Sequence, residues 1–250
     1  MQRYFVPSNH WTEDRVFVSG EDAKHISKVM RMKAGDSIIC CDNKGRSATC
    51  EIIDFDGDKV DACIKSDIAS LSELPVHVTI AQGLPKADKL EYIIQKGTEL
   101  GASDFFPFTA DRSIVKWDDK KAVKKKERLE KIAKEAAEQS HRSRIPEILD
   151  PGNFSDLLKI AERYKIKIAA YEEEAKLQES SRFATSLRAL ENGDSILCVI
   201  GPEGGISEKE AKILADHGFE LCGLGPRILR TETAPLYILS AISYHIELKG

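Results

Sequence analysis

The chain has 250 residues, 42% of them hydrophobic, and a formal net charge of −4. That length holds one large or two small domains with a real core, and no stretch reaches the roughly 20 apolar residues of a membrane span. Residues 1–10 lack the apolar run of a signal peptide, so a cytoplasmic location with no membrane partner is expected.

In chain order, the first seventy residues read mainly as short strands, over 4–6, 15–18, 37–42, 48–55 and 59–65. Asn43-Lys44-Gly45 and Asp56-Gly57-Asp58 are hairpin signals, and 22–32 is the one helical interruption. This pattern predicts a small β-barrel. At 69–75 the composition shifts, and residues 1–72 and 73–250 are read as two domains.

The second part alternates strand and helix periods. Strands are expected at 76–82, 104–108, 165–171, 195–200 and 219–224, and helices from about 85 to 100, then at 120–139, 155–164, 182–190, 207–217 and 235–248. Such alternation predicts a parallel sheet with helices on both faces. Ser207 and Glu210 make an S-x-x-E capping box, and Pro235 suits the first turn of the last helix.

Six cysteines, at 40, 41, 50, 63, 198 and 222, contain no C-x-x-C pair, which fits reduced core thiols. With the histidines scattered, no metal site is expected. Basic residues cluster despite the acidic total. Residues 24–33 carry Lys24, Lys28, Arg31 and Lys33 with no acid, and 120–134 are dense in lysine. The second cluster reads equally as a solvated helix face with i,i+4 pairs. Likewise, Lys86, Lys89, Glu91, Gln95, Lys96 and Glu99 fit an ordinary amphipathic surface helix.

Two loops carry the chemistry. Gly201-Pro202-Glu203-Gly204-Gly205 follows one expected strand, and Leu224-Gly225-Pro226-Arg227-Ile228-Leu229-Arg230-Thr231-Glu232-Thr233-Ala234 follows the next. Both belong at the carboxyl edge of a parallel sheet, where open α/β folds bind ligands. Glycines there let backbone approach a ligand, but Glu203 lies among them and no lysine follows, which argues against a P-loop cradle. A sharp structural turn remains the plainer alternative for the first loop.

These two loops resemble the signatures of the RsmE family of bacterial small-subunit ribosomal RNA methyltransferases. Lys86 to Glu91, Gln95-Lys96, Thr98 to Gly101, Arg112-Ser113 and Glu138 to Ser140 occur in the order that family shows, as do residues 25–35. The resemblance implies an α/β fold: a SPOUT-type, trefoil-knotted parallel-sheet methyltransferase domain preceded by a PUA-like β-barrel, acting as a homodimer. It implies methyl transfer from S-adenosylmethionine to N3 of one uridine of 16S rRNA in the 30S subunit.

On that basis Tyr171, Ile200, Gly201, Glu203, Gly204, Gly205, Leu224, Gly225, Ile228, Leu229 and Thr231 are expected around the cofactor. Arg230 is expected to stabilise negative charge on the uracil, with Glu203 or Glu232 assisting proton removal or orienting the arginine; a structural salt-bridge network among the three is the alternative. Arg3, Lys24, Lys28, Arg31, Arg112, Arg142 and Arg144 are candidates for RNA phosphates. Two other functions remain open: a related enzyme methylating ribose or another base, and a noncatalytic ribosome-assembly factor with a vestigial pocket.

Overall fold

The computed structural model describes residues 1–69, 71–173 and 181–248. It contains two compact units. One comprises Met1–Glu73 with Ala137–Ile145, the other Leu74–Ala136 with Pro146–Gly250.

In the first unit, β1 (Arg3–Phe5), β2 (Arg15–Ser19), β3 (Ser37–Cys41), β4 (Ser47–Asp56) and β5 (Lys59–Ile68) form a sheet of order β1-β3-β4-β5-β2. The pair β1/β3 is parallel and the others are antiparallel. The predicted hairpins are present. Asp42 Oδ1 accepts from the Lys44 and Arg46 amides at 2.8 and 3.0 Å, and Gly45 and Gly57 have positive φ, which suits glycine. Tyr4 from one edge strand and Val16 and Val18 from the other share a core with Ile38, Cys50, Ile52 and Val60. The sheet must curl to bring both edges to one core, and this curled sheet is the expected small barrel. The helical interruption is α1 (Gly20–Lys24) continuing into a wider turn over His25–Val29, shorter than expected.

Residues 137–145 join this unit through packing no local pattern reveals. Ala137 and Ile145 pack with Phe5, Ile39, Cys41 and Ile68. Arg142, with a side chain 4% exposed, is ion-paired to Glu73 at 2.6 Å. A division at residue 72 read from composition leaves this segment out, because its partners lie some hundred residues earlier.

The second unit runs β6 (His77–Gly83), α2 (Lys89–Glu99), β7 (Asp104–Thr109), α3 (Asp119–Gln139), β8 (Glu147–Ile148), β9 (Gly152–Asn153), α4 (Phe154–Ala161), β10 (Ile166–Ala170), α5 (Ser181–Arg188), β11 (Ser195–Ile200), α6 (Glu208–Asp216), β12 (Glu220–Cys222) and α7 (Ala234–Ser243). The last three residues of α3 are counted with the first unit. The sheet is parallel throughout, in the order β12-β10-β11-β6-β7-β8, with β9 also pairing to β7. The two-residue strands β8 and β9 carry too short a pattern to be read from sequence.

The inner strands β6 and β11 are buried along nearly their whole length, as in sheets covered on both faces. Phe106, Phe108, Leu197 and Val199 face a core shared with Leu157 of α4 and Leu214 of α6. On the other face Gly97 of α2 packs between Phe105 and Leu239 of α7. No helix among the described residues is long and apolar enough to cross a membrane.

Candidate active site

The strands β10, β11 and β12 end side by side, and their last residues, Ala170, Ile200 and Cys222, floor a cavity of about 440 Å³. Ile206 and Leu224, both nearly buried, add apolar wall, and Tyr171, Ile228 and Leu229 complete it. Helix α6 begins beside the cavity because the capping box forms. Ser207 Oγ accepts from the Glu210 amide at 3.2 Å, and Glu210 Oε2 accepts from the Ser207 amide at 2.9 Å. The buried Glu210 also accepts from the Asp111 amide at 2.9 Å, which fastens the segment bearing Arg112.

The glycine loop is shaped by contact as much as by turn chemistry. A Cβ on Gly201 would lie 2.6 Å from the carbonyl carbon of Gly205 and 2.8 Å from the Ile206 nitrogen. Gly205 has φ +72°, the left-handed region that glycine adopts at no steric cost. The two loops are joined beneath the cavity. The Thr231 hydroxyl donates to the Gly201 carbonyl at 2.7 Å, and buried Gln82 donates to Thr231 Oγ1 at 2.9 Å and to the Gly201 carbonyl at 3.3 Å. Gln82, the penultimate residue of β6, carries no local signal in the sequence that marks it as a loop partner.

A four-residue charge cluster lies at the cavity edge. Lys89 Nζ sits 3.0 Å from Glu203 Oε1 and 3.1 Å from Glu232 Oε2, and Arg230 lies 4.0 Å from the other oxygen of Glu232. The Lys86 amide donates to Glu203 at 3.0 Å. Partial burial opposes ionisation of Glu203, but its own backbone amide, Lys89 and the Lys86 amide outweigh it and hold the carboxyl below its ordinary pKa. Glu232 behaves alike: burial is overcome by its own amide, Lys89 and Arg230. Hydrogen bonds to these two carboxylates raise the pKa of Lys89, which stays charged. The Arg230 side chain is 83% exposed and open to a substrate.

Of the expected cofactor residues, Tyr171, Ile200, Gly201, Glu203, Gly205, Leu224, Ile228, Leu229 and Thr231 line this one cavity, as does Arg230. Gly204 and Gly225 belong to the two loops but do not line it, and Glu232 is tied to it through Lys89. Lys89, Ile206, Arg227 and the strand-end residues Ala170 and Cys222 were missed. The ends of adjacent parallel strands would have indicated Ala170 and Cys222, whereas helical spacing marks Lys89 only as a surface residue.

The RNA candidates separate. Arg3 is buried at 7% exposure, donating to the Arg142 carbonyl at 2.9 Å, and Arg142 is buried at 3% and paired with Glu73. Both are structural residues of the first unit and cannot meet a phosphate; a charge pattern carries no information on burial. Lys28, Arg31 and Arg144 are exposed, and Lys24 is half-buried beside Glu21. Arg112 belongs to the cavity, where its Nη1 donates to the Gly204 carbonyl at 2.9 Å. Five of the cysteines are completely buried and Cys63 is partly buried, and no metal-binding group of three or more His, Cys, Asp or Glu occurs among the described residues.

Residues 72–243 match the model of the RNA methyltransferase domain, and 18–64 that of the RNA methyltransferase PUA domain. The ribosomal RNA small subunit methyltransferase E of Bacillus subtilis is 52% identical over 99% of this chain and 98% of its own length. The chain belongs to the ribosomal RNA small subunit methyltransferase E family. A Mycobacterium bovis member is 32% identical over 90% of this chain and 84% of its own. The Neisseria gonorrhoeae methyltransferase E, solved bound to S-adenosyl methionine, superposes with a TM-score of 0.85 at 27% identity, covering 97% of both chains. Membership in the methyltransferase E family accounts for the two-unit architecture, a PUA-like curled sheet and a parallel-sheet methyltransferase domain.

The residues present suit S-adenosylmethionine. Apolar walls and a close-packed Gly201 leave room for a flat base, and the loop has no P-loop lysine to hold a polyphosphate.

Proposed function

We propose that this chain methylates N3 of one uridine of 16S rRNA in the 30S subunit, using S-adenosylmethionine bound between residues 171, 200–206 and 224–231. The carrying observation is the cavity at the ends of β10, β11 and β12, with the exposed Arg230 at its edge. Family membership and the signature at 224–234 support uridine N3 as the acceptor, and support a cytoplasmic homodimer with a trefoil knot in residues 73–250.

The cofactor supplies a methyl group made electrophilic by its sulfonium. Apolar walls exclude water from it, and the loop joint through Gln82 and Thr231 fixes its position, which matters most in a reaction that neutralises charge. Uracil N3 must lose a weakly acidic proton, and Arg230 stabilises the resulting anion through the uracil oxygens. Glu203 and Glu232, held below their ordinary pKa, are poor acceptors for that proton. Their role is to fix Lys89 and orient Arg230.

Lys28, Arg31, Arg144, Arg112 and Lys24 remain the phosphate contacts. The test is incubation with labelled S-adenosylmethionine and unmethylated small subunits, followed by mass spectrometry of the digested nucleosides. 3-Methyluridine is expected; a different methylated nucleoside, or none, overturns the reading.

A further inference from the structure

The basic helix α3 divides into two parts by what its cations meet. In the later turns they are paired: Arg128 lies 2.6 Å and Lys125 3.6 Å from the Glu91 carboxylate, Lys126 2.6 Å from Asp150 and Lys131 3.9 Å from Glu135. That part is the solvated, ion-paired face its spacing suggests. Lys120, Lys121 and Lys124, in the first two turns, are exposed and have no carboxylate partner among the described residues. Lys116 and Arg112, in the segment between β7 and α3, are likewise exposed and without one; the Arg112 guanidinium donates only to the Gly204 carbonyl.

Two observations count against solvation alone for these five cations. The N-terminus of a helix is the positive end of its dipole, so Lys120 and Lys121, the second and third residues of α3, weaken the helix they begin. Asp119 in the first turn and Asp118, whose Oδ1 accepts from the Lys121 amide at 2.8 Å, already complement that dipole. The second observation is place. Lys121 and Lys125 share a small cavity with Ala87, Leu90 and Glu91 at the start of α2, next in the chain to Lys89 of the charge cluster. Arg112 lines the larger cavity itself. The unpaired cations therefore lead from the edge of the site outward over the second unit.

Exposed cations without acidic partners, beside a site that takes one nucleotide of an RNA, suit a polyanionic strand. We propose that Arg112, Lys116, Lys120, Lys121 and Lys124 form a track that holds phosphates of the rRNA flanking the target uridine. Such contacts set the register and orientation of the strand and do not read its sequence. The inference rests on the proposed rRNA methylation, for which it names the face of the methyltransferase domain that carries the substrate.

The test is a Lys116→Ala/Lys120→Ala/Lys124→Ala chain, compared with Lys131→Ala from the paired part of the same helix. Filter binding to unmethylated small subunits over a range of salt should show the slope of log affinity against log salt reduced by about 2 to 3 in the triple variant, one phosphate for each cation removed. Its KM for small subunits should rise about tenfold. S-adenosylmethionine affinity, measured by calorimetry, and the melting temperature should not fall, because alanine favours the helix and the lost charges opposed its dipole. Lys131→Ala should leave slope and KM unchanged. A triple variant with the wild-type slope overturns the track. So does a loss seen with whole subunits while binding to protein-free 16S rRNA is unaltered, which assigns the face to a ribosomal protein instead. If the wild-type chain still forms 3-methyluridine, only the track has failed; if it transfers no methyl group, the underlying reading has failed with it.

Discussion

Replacing Gly201 by alanine tests whether the glycine loop is shaped by close backbone approach. The added Cβ would lie 2.6 Å from the Gly205 carbonyl carbon, 2.8 Å from the Ile206 nitrogen and 3.0 Å from the Gly205 Cα. All three atoms are backbone, so no side chain can swing away and the loop itself must move. Overpacking of this kind costs ~1–3 kcal/mol. For a chain of this size that lowers the melting temperature by about 2–4 °C for each kcal/mol. Because the displaced Gly201 carbonyl receives both Thr231 and Gln82, the shift reaches the second loop as well. If the same energy is lost from cofactor binding, S-adenosylmethionine affinity falls about tenfold to a hundredfold.

A control separates this from mere loss of a glycine. Gly35 in the first unit has φ +93° and open space around its Cα. Gly35→Ala therefore costs about 1–2 kcal/mol of backbone strain and leaves cofactor affinity unchanged. Calorimetric titration with thermal melting of both variants decides it. A Gly201→Ala protein that binds S-adenosylmethionine with unaltered affinity would refute the argument.

Arg230→Ala should lower kcat about a hundredfold with little change in cofactor affinity, since its side chain is largely exposed at the cavity edge; unchanged turnover removes it from the chemistry. Glu203 and Glu232 both titrate below the ordinary glutamate value, so their contribution to stability is complete above about pH 4.5 and is lost as pH falls through their folded pKa values. A Glu203→Gln/Glu232→Gln double variant should consequently show a shallower stability decline on acidification below about pH 4.5, followed by denaturant unfolding. Glu73→Ala removes the carboxylate paired with the Arg142 guanidinium, whose side chain is 4% exposed, and should cost about 3 kcal/mol in chemical unfolding. Binding of rRNA should weaken steeply with salt, and Lys28→Glu/Arg31→Glu should flatten that dependence in filter-binding assays.

What could be read in advance was local. The apolar run Ser195–Ile200 is a strand at the expected limits, α3 ends at the expected Gln139, and the Ser207/Glu210 box caps α6. Each depends on neighbours a few residues away. The cavity was legible to the extent that adjacent strand ends converge, which brought Ile200, Leu224 and Thr231 together. Lys89 escaped because periodicity separates a buried face from an exposed one and cannot tell water from a cleft. Arg3 and Arg142 misled for the converse reason: arginine near a chain terminus or a helix end suggests solvent, and only distant partners, the Arg142 carbonyl for Arg3 and Glu73 for Arg142, reveal burial. Gln82 reads as a polar residue near the end of a mostly apolar strand, and its function depends on loops that arrive more than a hundred residues later.

The inclusion of Ala137–Ile145 in the first unit bears on how the protein is made. During synthesis the N-terminal strands emerge first, yet Phe5, Ile39 and Cys41 lack their apolar cover, and Glu73 its guanidinium, until that later segment has left the ribosome. The unit that comes first in the chain is thus completed only after residues 74–136 of the other unit have been made. A truncated product ending at residue 73 should be a poor folder, whereas a circularly permuted chain that places 137–145 beside residue 1 should fold its curled sheet early.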